Sequence, residues 1–133
     1  MRRFLILLAA LAIALPAQAE PWPVCRRGQP SAACVVDGDT LWLAGEKIRL
    51  ADIDAPEASH PACDAERHLA AAATAALARI LGSGLLTLTR TSRDRYGRTL
   101  ARVSVAGQDV GAEMVRRGLA RDWPGRKVNW CRG

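Results

Sequence analysis

The chain has 133 residues, half of them hydrophobic, and a formal charge of +6 at neutral pH. Its start reads as an address: Arg2 and Arg3, an apolar run from Phe4 to Leu15, then Ala17-Gln18-Ala19 around an expected cleavage point after Ala19. Those twelve apolar residues fall short of the roughly 20 that span a bilayer, which argues against a retained anchor. No cysteine follows the cut to carry a lipid. Removing residues 1–19 takes away two arginines and no acid, leaving 114 residues and a charge of +4. That is one domain with room for a real core. Its basic balance suits a polyanionic partner without demanding one.

Glu20 to Ser31 is rich in Pro, Gly and Arg, so residues 20–33 are expected to be an irregular lead-in to a domain spanning 34–133. Cys34-Val35-Val36 and Thr40-Leu41-Trp42-Leu43 are short apolar runs. Ala44-Gly45-Glu46 predicts a tight turn, and Lys47-Ile48-Arg49-Leu50 alternates polar with apolar. Pro56 and Pro61 break regular structure across the next loop. Residues 64–81 predict a helix: Leu69, Ala73, Ala76, Leu77 and Ile80 recur at helical spacing, and Gly82 and Gly84 end it. Leu85 to Arg90 and Thr99 to Val105 alternate as strands on either side of a turn at Asp94 to Gly97, and Gly107 opens another turn. Asp109 is the expected N-cap of a second helix from Val110 to Arg117, with Gly118 just past its end. The tail from Asp122 to Gly133 shows no periodicity.

The result is an α+β chain, mainly β. Five short strands suit a small closed barrel, because closure removes exposed sheet edges. Strands that do not alternate regularly with helices fit a parallel α/β sheet poorly.

All four cysteines, Cys25, Cys34, Cys63 and Cys131, lie beyond the expected cut. An exported chain with an even cysteine count is expected to form disulfides. Three connectivities exist. Cys25–Cys34 with Cys63–Cys131 is favoured, because the first is local and the second ties down the tail. Zinc held by cysteines with His60 and His68 is the alternative, but the spacing lacks any CxxC pair. No cysteine is assigned to a reaction, so reduction is expected to cost stability before chemistry.

Polar residues cluster where a barrel needs few of them: Asp37-Gly38-Asp39-Thr40, then Arg49 through Asp52, Asp54 and Glu57, then Asp94-Arg95-Tyr96-Gly97-Arg98. Carboxylates held close repel unless a cation lies between them, and oxygen-only ligands favour calcium or magnesium. Arginine forks match phosphate oxygens. Metal, arginines and a spare carboxylate together describe phosphodiester hydrolysis. Each piece alone also has an ordinary reading as a turn, a cap or a solvated strand residue. The first segment is not an EF-hand loop, since Trp42 and Ile48 stand where glycine and glutamate are required.

VVDGDTLWL, KIRLADIDAPE, DRYGRTLARV and MVRRGLA together resemble the staphylococcal nuclease (thermonuclease) family over about residues 34–121. The resemblance implies a five-stranded OB-fold-type barrel with two or three flanking helices. It also implies calcium dependence and hydrolysis of DNA and RNA that leaves 3′-phosphates. Asp39 and Asp54 are similar to the family's calcium ligands, and the backbone carbonyl of Ala55 stands where a further ligand is expected. Glu57 resembles the carboxylate that orients or deprotonates the attacking water, and Arg49 and Arg98 the pair on the scissile phosphate. Asp37 and Thr40 are expected to shape the metal loop, and Tyr96 to contact a neighbouring phosphate or sugar. The chain departs from the family after Ala120, where the tyrosines of the nucleotide site have no match. Trp123 and Trp130 are expected to close the core, with stacking on a base as the alternative.

An OB-type barrel also serves non-catalytic nucleic-acid-binding modules, so fold alone does not decide between cutting and holding. Glu57, Arg49 and Arg98 beside both aspartates favour the enzyme, since a pure binder needs no water-activating acid. A disulfide-stapled structural protein explains the cysteines and leaves the acid–arginine set unexplained. The expected form is a monomer, periplasmic or secreted, with no membrane attachment after cleavage.

Overall fold

A computed structural model describes residues 19–26 and 32–132; the expected signal peptide, apart from Ala19, lies outside the described residues. The chain runs β1 (Ala33–Asp37), β2 (Thr40–Leu43), β3 (Glu46–Leu50), β4 (Ile53–Asp54), α1 (Asp64–Leu81), β5 (Leu86–Arg93), β6 (Thr99–Val105), β7 (Gln108–Asp109), α2 (Val110–Arg116) and β8 (Arg121–Asp122). The main sheet follows the path β1-β2-β3-β6-β5, with β7 on β6, while β4 and β8 form a separate pair. Its five long strands are the five expected, and the fold is α+β and mainly β. Among the described residues no ladder runs from β5 back to β1.

Local chemistry explains most boundaries. Ala44 and Gly45 both have positive φ, 49° and 81°, between Leu43 and Glu46, which pair directly. That is the two-residue turn whose twist matches a hairpin. Helix α1 starts at Cys63, whose Sγ accepts from the Glu66 N–H, and its C-cap is Gly82. Asp109 caps α2 by accepting from the Ala112 N–H, and Gly118 with φ of 72° follows its end.

Three elements differ from expectation. Strand β5 begins at Leu86 and runs on to Arg93, while Leu85 is 85 % exposed outside it. The extension follows from pairing: Arg93 lies opposite Thr99 across the turn, with an irregularity between Arg90 and Ser92. The lead-in is not wholly irregular, since Val24 bridges Val35 and the Trp22 N–H donates to the Ala78 carbonyl. The tail opens with β8, too short to show periodicity, which pairs Asp122 with Ile53 and Arg121 with Asp54.

The core lies between the sheet and the two helices, with Val35, Leu41, Ile48, Leu50, Leu77, Val103 and Met114 all at or below 2 % exposure. Two disulfides, Cys25–Cys34 and Cys63–Cys131, join the pairs favoured from spacing and take up all four cysteines. Cysteine thiolates are therefore not left for zinc, and His60 and His68 are exposed. No helix among the described residues is long and apolar enough to cross a membrane.

Candidate active site

The β1–β2 turn lies directly on α1. A Cβ placed on Gly38 would sit 2.7 Å from the Ala73 Cβ and 2.9 Å from the Ala55 Cβ, so only glycine lets the turn approach this closely. The approach buries Asp37 and Asp39 to 7 % and 5 % exposure. Asp37 Oδ1 accepts from the Asp39 N–H at 3.2 Å, and Asp39 Oδ1 accepts from the Thr40 hydroxyl at 2.9 Å. Asp39 Oδ2 accepts from the Ala55 N–H at 2.8 Å, which draws the β4 exit against the turn.

Thr40 pairs with Arg49 across β2 and β3, which brings the arginine to the same spot. Arg49 is 8 % exposed. Its Nη2 lies 3.3 Å from both Asp39 Oδ2 and Asp54 Oδ1. Its Nη1 donates to the carbonyls of Leu50 and Ile53 at 2.6 and 2.8 Å. Asp54, 1 % exposed, turns its other oxygen to the Val128 N–H at 3.0 Å and the Trp130 indole N–H at 3.4 Å. One guanidinium thus ties the two aspartates together.

The donor set suits a cation. Burial, and then the neighbouring Asp39 carboxylate, push the Asp37 carboxyl up to about 8. Arg49 is the one cation paired with the buried Asp39 and Asp54 among the described residues. The side chains supply only oxygen, which fits a hard ion. Among the described residues no three His, Cys, Asp or Glu side chains converge as a metal cluster. Of the ligands expected from the sequence, Asp39 and Asp54 stand at one place, joined through Arg49, and Ala55 is tied to Asp39 by its N–H.

A cleft of about 670 Å³ opens over this cluster. Asp37, Asp39, Thr40, Arg49, Glu57, Tyr96 and Arg98 all line it, whereas Asp54 and Ala55 lie buried behind Arg49. The β5–β6 turn forms the opposite wall. Arg98 donates through Nε to Asp94 Oδ2 at 2.6 Å, and Asp94 Oδ1 accepts from the N–H groups of Tyr96 and Arg98. Burial pulls the Asp94 carboxyl upward, but the Arg98 guanidinium and these N–H groups outweigh it and leave it below its usual value. Tyr96 is 68 % exposed at the lip, between the guanidinium groups of Arg95 and Arg98. Glu57 is half-buried; its Oε1 accepts from the Ser59 N–H at 3.0 Å, and its Oε2 lies 3.5 Å from Lys127 Nζ.

The profile of the family described as "Staphylococcal nuclease homologue" matches residues 47–129. The chain belongs to this family. It is 35 % identical over 91 residues to an "Uncharacterized endonuclease" of Haemophilus influenzae, covering 65 % of this chain and 47 % of that protein. It is 30 % identical over 92 residues to "Thermonuclease" of Staphylococcus intermedius, covering 65 % and 55 %. "Protein ParB" of Escherichia coli is 33 % identical over 132 residues, covering 90 % and 70 %. The chain thus spans about half the length of the first two. Family membership carries an OB-type barrel, in keeping with the five-strand path.

The staphylococcal-nuclease-like motifs account for both walls of the cleft, and the roles expected from them left out the groups that hold the site residues in place. Asp94 fixes Arg98, and its place four residues before an arginine in a turn was the available signal. Glu66 is 7 % exposed; it accepts from the Glu57 N–H at 3.2 Å and the Ala62 N–H at 2.8 Å, clamping the loop that carries Glu57. Its signal was position three of a helix whose cap is Cys63. Lys127 had none. Trp130 is buried, at 8 % exposure, against Asp54 and the Arg121 guanidinium. Trp123 does not close the core: it is 44 % exposed on the cleft rim, 5.9 Å from the Arg49 guanidinium. Its backbone N–H donates to the Asp52 carbonyl, so the β4–β8 region carries it outward and away from the core.

Proposed function

We propose that this protein is an exported, calcium-dependent nuclease that hydrolyses phosphodiester bonds in DNA and RNA and leaves 3′-phosphates. The observation that carries the reading is the shared cleft. Arg49, Arg98 and Glu57 line one opening over the buried Asp37, Asp39 and Asp54, which have Arg49 as their one ion-pair partner among the described residues.

Asp39, Asp54 and the Ala55 carbonyl would hold the calcium. When bound, the ion supplies positive charge to a phosphate oxygen. Arg98, held in orientation by Asp94 through Nε, presents its fork to the scissile phosphate, and Arg49, now held by the Leu50 and Ile53 carbonyls and by Asp39 and Asp54, would turn to the phosphate from the same cleft once calcium neutralises the two aspartates. Both contacts strengthen as charge builds on the phosphate, which raises turnover more than binding. Glu57, clamped through its backbone by Glu66, orients the attacking water or takes its proton. Asp37 and Thr40 hold Asp39 in place. Tyr96 and Trp123 offer exposed rings at the cleft, to a sugar–phosphate and to a base respectively.

Residues 1–19 act as the signal peptide, residues 20–33 lead into the domain at 34–133, and the protein works as a monomer in the periplasm or outside the cell. Two disulfides suit an oxidising compartment.

The test is to incubate the chain from Glu20 with single-stranded DNA and with RNA in calcium, then with a chelator. Cleavage in calcium, its loss on chelation, and products that need a 3′-phosphatase before extension are expected. Undiminished cutting without divalent ions would overturn the metal assignment. Tight binding without cutting would support the non-catalytic binding module instead.

A further inference from the structure

After β8 the chain leaves the sheet and returns to the cleft. The Val128 N–H and the Trp130 indole N–H both donate to Asp54 Oδ2, at 3.0 and 3.4 Å. Lys127 Nζ lies 3.5 Å from Glu57 Oε2 and lines the same cleft as Arg49 and Arg98. Two residues assigned to the reaction thus take contacts from three residues near the C-terminus, Lys127, Val128 and Trp130.

The tail has no strand or helix beyond Asp122 among the described residues. Its anchors are the buried Trp130, beside the Arg121 guanidinium, and the Cys63–Cys131 disulfide. Cys63 is also the N-cap of α1, three positions before the Glu66 that clamps the Glu57 backbone. One covalent bond therefore gathers the helix start, the Glu57 loop and the tail. A segment with so few backbone bonds is costly to order by itself, and the crosslink shortens the set of conformations open to it.

We propose that residues 127–131 are a working part of the cleft, pinned by the Cys63–Cys131 disulfide, with Lys127 positioning Glu57 and Trp130 positioning Asp54. The proposal rests on the nuclease reading above. Two donors on Asp54 Oδ2 fix that carboxylate so that Oδ1 faces Arg49. Lys127 draws Glu57 Oε2 to one side of the cleft mouth while the Ser59 N–H holds Oε1. Groups that orient a metal-binding carboxylate typically contribute ~10–100-fold in metal affinity or activity. The crosslink is then more than a staple, and reduction reaches the chemistry as well as the stability.

The test uses the chain from Glu20 with Trp130→Phe, Lys127→Met, Lys127→Arg, Glu57→Gln, and the Cys63→Ser/Cys131→Ser pair. Calcium binding is measured by calorimetry, cleavage of a short single-stranded DNA by steady-state and single-turnover kinetics, and folding by thermal melting. Trp130→Phe is expected to weaken calcium binding ~10-fold, and the cysteine pair to weaken it at least as much. Lys127→Met is expected to lower kcat ~10-fold with KM near the parent value, and Lys127→Arg to restore it. In a Glu57→Gln background Lys127→Met is expected to add nothing, because its effect runs through Glu57.

Folded Trp130→Phe and Lys127→Met with parent calcium affinity and parent kcat overturn the proposal. So does a Lys127→Met effect confined to KM, which would make the lysine a substrate contact. A parent that binds calcium and does not cut refutes the nuclease reading, and the calcium affinities of Trp130→Phe and the cysteine pair then decide the tail. A parent that binds no calcium refutes both. If the cysteine pair fails to fold, Trp130→Phe and Lys127→Met decide alone.

Discussion

Gly38→Ala isolates the link between packing and the site. The new methyl would stand 2.7 Å from the Ala73 Cβ and 2.9 Å from the Ala55 Cβ. Carbon atoms in contact prefer ~3.5–4.0 Å, so the turn must lift by about 1 Å or the helix must yield. Overpacking of this kind costs ~1–3 kcal/mol. In a domain near this size each kcal/mol lowers the melting temperature by about 4 °C or more, so a fall of roughly 5–15 °C is expected. The same lift carries Asp39 away from Ala55 and Asp54, and a misplacement of about 1 Å can cost ~100-fold in rate. Gly45→Ala is the control. Gly45 has φ of 81° with nothing within 4 Å of an added Cβ, so the change strains a hairpin turn that does not line the cleft. It is expected to cost about 1 kcal/mol and leave cleavage unchanged. Thermal melting and single-turnover cleavage on both variants give the answer. If Gly38→Ala melts and cuts like the parent, the close approach does not position Asp39. If it melts low but cuts at the parent rate below the transition, packing and site are separable.

Arg49→Ala removes the cation shared by Asp39 and Asp54, and stranding buried carboxylates this way is expected to destabilise the calcium-free fold by ~3–5 kcal/mol. Added calcium should recover part of that melting temperature while turnover stays at least ~100-fold down; no recovery would count against the aspartates as ligands. Arg98→Ala should lower single-turnover cleavage ~100–1000-fold with little change in melting, since Arg98 is bound only through the surface turn at Asp94. Parent-like cleavage by that variant would move the balance to a binding module. Glu46 is held at about 2 by hydrogen bonds from Arg90 first and Thr99 second, against an ordinary 4.5. Its folded value lies below its unfolded one, so its contribution is fully present above about 4.5 and fades as pH falls towards about 2. Glu46→Gln should therefore flatten the loss of melting temperature across that window, and an unchanged acid limb would refute the assignment.

Much of this protein was readable from residue order, because short-range interactions dictate it. The bounds of α1 followed from apolar spacing of three and four with a stop at Gly82, and the N-cap of α2 from Asp109. Strand β6 followed from alternation, and the β2–β3 turn from Ala44-Gly45. The motif residues Asp37, Asp39, Thr40, Arg49, Glu57, Tyr96 and Arg98 were likewise nameable in advance, and they do meet at one cleft. Tertiary structure decided what those residues touch. The parallel pairing of β3 with β6 joins positions about 50 residues apart, for which no local period exists. Arg49 bonds to both aspartates because β2, β3 and β4 converge there, not because of any neighbour in the chain. Trp130 reaches Asp54 across 76 positions, and Lys127 finds Glu57 from a tail without periodicity. Periodicity and capping arise within a few residues of each other along the chain. Contacts over such separations exist only once the core has closed and the Cys63–Cys131 bond has brought the tail home.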